Sequence, residues 1–313
     1  GRLVSTYQFN IVFGILIAFV SNALLAKYIS NDAWRWMIGI EALPAIIYTV
    51  MMFAIPESPR WLITAKNNIE AAKQVFRSLY DNEGDIAEQV NLIVNSQKST
   101  DDAESIFSKK YGIPLSLAFF IAFFNQFSGI NAILYYANRI FAEAGLAEQA
   151  GALGSIGLGI TNFVFTLLGM FLIDRLGRKQ LLYIGSVGYI VSLSIVSLCF
   201  YNDWSGMIVP ISLFAFIASH AVGQGAVIWV FISEIFPNHL RSSGQAFGSS
   251  VHWVLAAIIP SLVPILFNSI GAVTVFAIFA FMMLLQLVWI KMYVPETKGK
   301  SLEAVSESLT NSN

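Results

Sequence analysis

Eight stretches of the chain are almost purely apolar, and the polar residues gather between them. They run over about residues 7–26, 36–55, 112–138, 151–173, 181–200, 206–233, 246–268 and 271–290. Each matches or exceeds the roughly 20 residues that a helix needs to cross a hydrocarbon core about 30 Å thick. Lipid offers the backbone no hydrogen-bond partners, and the runs are too long for barrel strands. The pattern therefore predicts an all-α polytopic membrane protein with eight crossing helices. A shorter periodicity marks the loop from Pro56 to Tyr111. There Asn68 is placed to cap a helix whose apolar face is Ile69, Ala72, Phe76 and Leu79, and Ile86, Val90 and Ile93 repeat the pattern. The polar faces of these helices mix acids with bases, which favours a place beneath a bundle over one on the bilayer surface.

Charge adds direction to this picture. Of the 18 Lys and Arg residues, 15 fall on one side of the alternating loops, so that side is expected to be cytoplasmic, together with both ends of the chain. The composition is 56% hydrophobic and 12% charged, about half the charged share of soluble domains. All but one of the charged residues lie outside the eight stretches; the exception is Glu41. Eighteen basic against 19 acidic residues leave no basic field for nucleic acid. A single cysteine, Cys199, rules out a disulfide framework, and the widely spaced His220, His239 and His252 suit no metal. The apolar stretches hold no acid–base or metal constellation, so neither catalysis nor a bound cofactor is expected.

Two punctuation marks recur. Arg2 opens the first hairpin and Pro56-Glu57 closes it; Arg241 opens the last and Pro295-Glu296 closes it, each 239 residues further on. Equal offsets suggest a repeat of six helices that begins mid-unit, hence a twelve-helix parent with about four helices upstream. Two six-helix halves are the plan of major facilitator transporters, whose substrate sits between the halves near the midplane.

Five motifs carry a closer resemblance. Residues 56–62 read PESPRWL, 125–136 NQFSGINAILYY, 174–179 DRLGRK, 233–241 SEIFPNHLR, and 295–299 PETKG followed by Ser301-Leu302-Glu303. In this order they resemble the sugar porter family of the major facilitator superfamily over essentially the whole chain. The resemblance implies a bundle made of the family's helices five to twelve. Residues 1–55 would close the N-terminal half, 56–111 form a cytoplasmic helical linker, 112–294 the C-terminal half and 295–313 a cytoplasmic tail. It implies alternating-access transport of a monosaccharide or related polyol, by proton symport or facilitated diffusion, in a plasma or inner membrane. A membrane sugar sensor on the same fold is the alternative.

A sugar presents hydroxyls around its rim and C–H groups on its faces. Its site needs groups that donate and accept together, plus aromatic surfaces. A neutral hydrogen bond is worth about 1 kcal/mol net, while an unpaired buried polar group costs about 1–3 kcal/mol. The apolar stretches contain few such groups, and the candidates among them are Gln8, Asn125, Gln126, Asn131, Asn162, Trp229, His252 and Trp253. Asn131 and Tyr135 are four apart and share a helix face, with Gly129 beside them able to loosen the ladder. The resemblance puts sugar contacts at Gln126, Asn131, Asn162, Trp229 and Gln8, and near Trp253. The same amides also suit helix-to-helix bonding worth about 0.6–2 kcal/mol. Asn125 stands where the family has a glutamine, one methylene longer, and His252 where it often has an amide. Ala256 stands where some members keep another asparagine.

The family bends its tenth helix, and here Pro210, Gly223 and Gly225 interrupt the corresponding stretch. Tyr135 and Tyr136 resemble the family's outer gate. Arg2, Glu57, Arg60, Asp174, Arg175, Arg178, Glu234, Arg241 and Glu296 lie at cytoplasmic helix ends. They are either solvated ends worth about 0–1 kcal/mol per pair or, following the family, a network that holds the halves together while the cytoplasmic side is closed. Glu41, inside an apolar stretch, is expected either to titrate in proton coupling or to bond a neighbouring helix.

Overall fold

The computed structural model describes residues 2–29, 32–98, 105–147 and 151–310. Among them every regular element is helical. The chain forms two compact units, residues 1–28 together with 106–313, and residues 29–105. Helix α1 (Arg2–Tyr28) belongs to the larger unit.

The smaller unit starts with α2 (Ala33–Gly39) and α3 (Ala42–Met52), which meet at a turn through Ile40 and Glu41. Together they form one membrane-length stretch, Ala33–Met52, and none of their residues is buried. Three short helices follow: α4 (Pro59–Thr64), α5 (Ile69–Arg77) and α6 (Glu83–Lys98). Pro59 occupies the first turn of α4, where its missing N–H costs nothing. Asn68 caps α5 as expected, its side-chain oxygen accepting from the Ala71 N–H at 3.0 Å. Ala72 and Phe76 of α5 meet Ile86 and Val90 of α6 in one small core. Leu62 and Ile63 of α4 complete it. The amphipathic faces thus close on one another, and the PRWL motif supplies a third wall that the periodicity did not reveal.

In the larger unit, α7 (Gly112–Phe127) and α8 (Ile130–Glu143) form one long apolar stretch broken at Ser128-Gly129. Gly129 has φ +82°, and a Cβ there would lie 2.5 Å from the Phe279 ring. Both the left-handed backbone and the close ring require glycine at the break. A π-helical turn, Ala152–Gly157, leads into α9 (Leu158–Leu176), followed by α10 (Arg178–Tyr201). Then α11 (Ile208–His220) continues through a second π-helical turn, Ala221–Gly225, into α12 (Ala226–Glu234). The last long element, α13 (Arg241–Tyr293), is two spans joined at Gly271, whose φ of 79° and ψ of 160° are not helical. Counting α13 as two, the stretches among the described residues that are long and apolar enough to cross a bilayer number eight, as the apolar runs predict.

Helix α10 lies at the centre of this unit, packed on α11 and α13, with Leu181, Tyr189 and Leu193 fully buried. The segment after Pro295 carries α14 (Leu302–Thr310), which packs against α7 and α12 through Val305 and Leu309.

Candidate functional site

The larger unit encloses a cavity of about 340 Å³, near the lower end of the 300–1,000 Å³ range usual for small-ligand sites. All eight residues expected to contact substrate line it: Gln8 from α1, Asn125 and Gln126 from α7, Asn131 from α8, Asn162 from α9, Trp229 from α12, and His252 and Trp253 from α13. Of the gating candidates, Tyr135 and Gly225 line the cavity. Tyr136 instead packs against the apolar core, and Gly223 lies against α10, where a Cβ would come within 2.8 Å of the Gly185 Cα.

The break at Gly129 is what brings the amides together. Asn131 Nδ2 donates to Gln126 Oε1 at 2.9 Å across it. Gln126 Nε2 donates to Asn125 Oδ1 at 3.1 Å and also faces the His252 ring, 3.2 Å from its Nε2. Gln126 is therefore the hub of the cluster, with both ends of its amide engaged, and it fixes the orientation of its three neighbours. Helix α1 is docked by rings: Phe9 and Phe13 lie 5.8 and 5.9 Å from Phe163 of α9, and Tyr7 stands edge-on to Trp229 at 5.8 Å. That docking lets Trp229 Nε1 donate to Gln8 Oε1 at 3.0 Å. Trp229, His252 and Trp253 form an aromatic wall with centroid separations of 4.9 and 5.0 Å. The cavity thus offers an amide rim and flat apolar faces, the two surfaces that a sugar ring matches.

Among the polar lining residues, one was not expected from the sequence. His220 reaches the cavity because the π-helical turn after it adds a residue to the helical repeat. His220, Gly225 and Trp229 share the cavity wall, spaced by five and then four residues. A plain helical period would align His220 with Gln224, which is instead fully buried with neither amide atom partnered among the described residues. Gly223 and Gly225 mark the turn as an interruption, but nothing in the sequence specifies the added residue that brings His220 to the wall.

The charged candidates divide. Arg178 is 6% exposed and makes a two-pronged pair with Glu234, Nε to Oε2 at 3.0 Å and Nη2 to Oε1 at 2.6 Å. Asp174 stands 3.6 Å from Nη1. Thr297 donates to Glu234 Oε2 at 2.6 Å. Glu296 caps α10, accepting from the backbone N–H groups of Arg178 and Lys179 at 3.0 Å each, a carboxylate where the helix N-terminus favours one. Gly177, at φ +91°, leaves room for it: a Cβ there would lie 2.6 Å from Glu296 Oε2. The motifs DRLGRK, SEIF and PETKG therefore form a clasp inside the larger unit, and its central pair is buried rather than solvated. Arg175 stacks on Phe171 at 4.0 Å, and its carbonyl accepts from Lys298. Nε and Nη2 of Arg241 are buried with no hydrogen-bond partner among the described residues. Glu57 and Arg60 are exposed in the smaller unit. The side chain of Arg2 lies outside the described residues. Glu41 sits exposed at the turn between α2 and α3, and its carboxylate bonds no described residue.

Residues 1–309 match the family described as "Sugar (and other) transporter". The glucose transporter GlcP of Staphylococcus epidermidis is 34% identical over 99% of this chain and 69% of its own length. The D-xylose-proton symporter of Escherichia coli K12 is 30% identical over 97% of this chain and 64% of its own. Among solved structures, the proton:xylose symporter XylE bound to 6-bromo-6-deoxy-D-glucose superposes with a TM-score of 0.81 at 29% identity, over 99% of this chain and 67% of that one. The inward-open xylose transporter XylE from E. coli gives 0.77 at 29% identity, over 99% and 65%. The chain thus spans about two thirds of the length of these relatives. With the motifs, the broken helices and the amide-lined cavity, these matches establish that the chain belongs to the sugar porter family of the major facilitator superfamily, multi-pass membrane carriers that transport sugars.

Proposed function

We propose that the cavity between α1, α7–α9, α12 and α13 binds one monosaccharide, a hexose or pentose, which the protein releases on the opposite face of the membrane by alternating access. The observation that carries this reading is the amide cluster on the broken α7–α8 helix, facing an indole wall in a cavity of about 340 Å³. Amides accept and donate at once, so a hydroxyl rim replaces cavity water at little cost, while a sugar epimer leaves a buried group unpaired. In this reading Gln8, Asn125, Asn131 and Asn162 make the polar contacts, Trp229 and Trp253 cover the ring faces, and Gln126 and His252 hold the neighbours in place. The break at Gly129 and the π turn at Ala221–Gly225 give two lining helices points at which to bend, with Tyr135 at the rim as outer gate.

The relatives named for glucose, D-xylose and arabinose suggest aldoses as substrates, and the names of the last two as symporters suggest protons as the coupling ion. The excess of Lys and Arg on one side supports cytoplasmic ends. The sensor alternative finds no support among relatives named as transporters. Uptake of labelled hexoses, pentoses and inositol into vesicles containing the intact transporter, with and without a proton gradient, tests the reading. Saturable uptake of one aldose is expected, and no saturable uptake of any sugar would sink it. A gradient effect abolished by Glu41→Gln would assign coupling to Glu41; a gradient effect retained in that variant would remove the assignment.

A further inference from the structure

The polar groups expected at the sugar cavity are amides, indoles and the imidazole of His252. His220 lies outside that set, and its contact with a buried phenol fixes how it is protonated. Tyr189 of α10 is fully buried, its ring 5.3 Å from Phe216. Its hydroxyl lies 2.8 Å from Nδ1 of His220, its one hydrogen-bond partner among the described residues. A buried phenol hydrogen needs an acceptor, and Nδ1 is the acceptor in reach. Accepting there leaves Nδ1 without a proton and puts the ring's hydrogen on Nε2. The Nε2 edge is kept open by the neighbouring glycine. Gly225 lines the same cavity, and a Cβ on it would lie 3.1 Å from the His220 carbonyl oxygen and in contact with the ring, 3.4 Å from Cδ2 and 3.6 Å from Nε2.

We propose that His220, held in this tautomer by Tyr189, donates its Nε2–H to one oxygen of the bound sugar and so takes part in choosing the isomer. The amides around it are less selective, since an amide offers both donor and acceptor and a hydroxyl satisfies either. Two of them are also committed elsewhere: Gln126 to Asn125 and Asn131, and Gln8 Oε1 to Trp229. A donor fixed in place by a buried phenol demands a lone pair at one position of the ring. Tyr189 is the positioning residue in this arrangement, and it acts through His220.

The inference rests on the proposal that the cavity takes a monosaccharide, so the test separates the two. Equilibrium binding of the best substrate and its singly deoxygenated analogues is measured on the purified intact transporter, as wild type, His220→Phe, His220→Gln, Tyr189→Phe and Gly225→Ala. For one analogue the wild type should bind about fivefold to tenfold more weakly than for the parent sugar. In His220→Phe that penalty should shrink below about twofold, while the penalties at other positions stay. His220→Gln keeps a donor and should keep most of the penalty. Tyr189→Phe frees the tautomer and Gly225→Ala sets a methyl against the His220 ring and carbonyl, and both should reduce the same penalty more than any other. These two variants read out the role even where His220→Phe fails to fold. Saturable binding of the parent sugar with every penalty unchanged, or all changed equally, would overturn the role of His220. Absence of saturable sugar binding to the wild type would remove the monosaccharide reading and this inference with it.

Discussion

Replacing Arg178 with alanine should open the clasp that joins α10, α12 and the segment after Pro295. The guanidinium makes two charge-assisted hydrogen bonds to Glu234, at 2.6 and 3.0 Å, and a weaker one to the Ile173 carbonyl at 3.3 Å. The Arg178 and Glu234 side chains are only 7% and 13% exposed, so solvent screens the pair little. The contact with Asp174 contributes little, because that carboxylate is 62% exposed. Removal of Arg178 leaves the Glu234 carboxylate largely buried with Thr297 as its remaining donor among the described residues. Breaking one side of a buried pair costs about 3–5 kcal/mol, much of it the penalty on the charge left behind. Glu234→Gln removes that charge and keeps the bond from Thr297, so it should cost about 1–3 kcal/mol. In the double variant the stranded charge is gone, and the loss should fall short of the sum by about 1.5–3 kcal/mol. Reversible denaturant unfolding of the purified protein in detergent, run as a double-mutant cycle, measures this. Losses that add to within about 0.5 kcal/mol would show that the two side chains do not act as a buried pair.

Gly177→Ala should cost at least about 1–3 kcal/mol, because its backbone is one that glycine alone adopts readily. The added methyl would also push Glu296 off the start of α10, and thermal unfolding would record both effects. Asn131→Ala removes the amide that spans the break at Gly129 and should weaken sugar affinity about tenfold in a binding titration. An unchanged Kd would take Asn131 out of the site. In the smaller unit, Phe76→Ala empties the middle of the α4–α6 core and should destabilise that unit by about 3–5 kcal/mol. Faster amide exchange confined to residues 59–98 is the expected signature.

The crossing helices were legible because lipid enforces a long apolar run on each of them, and even the divide inside α13 falls between two such runs. The capped helix at Asn68 was legible because its cap and its apolar face agree. Less visible were features set by packing alone. Arg178 reads as a solvated helix end until α12 brings Glu234 beside it. The segment after Pro295 reads as a tail, although Val305 and Leu309 of α14 are four apart, as one helix face requires. In the cavity, residue type narrowed the candidates to a few polar groups in apolar helices, and the family motifs singled out the eight that line it. Type and spacing did not reveal that Gln126 is committed to its neighbours. His220 stayed hidden because Gly223 and Gly225 signal an interruption but not the one-residue shift of register that the π turn makes.

The central claim is that the amide-lined cavity carries a sugar across the membrane, and sugar counterflow in liposomes containing the intact transporter tests it most directly. Liposomes loaded with unlabelled sugar should draw in labelled glucose, xylose or arabinose transiently above equilibrium, in a saturable manner. Asn131→Ala should reduce this overshoot at low sugar and restore it at high sugar, because its defect is in binding. Flux equal to that of empty liposomes for every hexose, pentose and inositol tried would contradict the account.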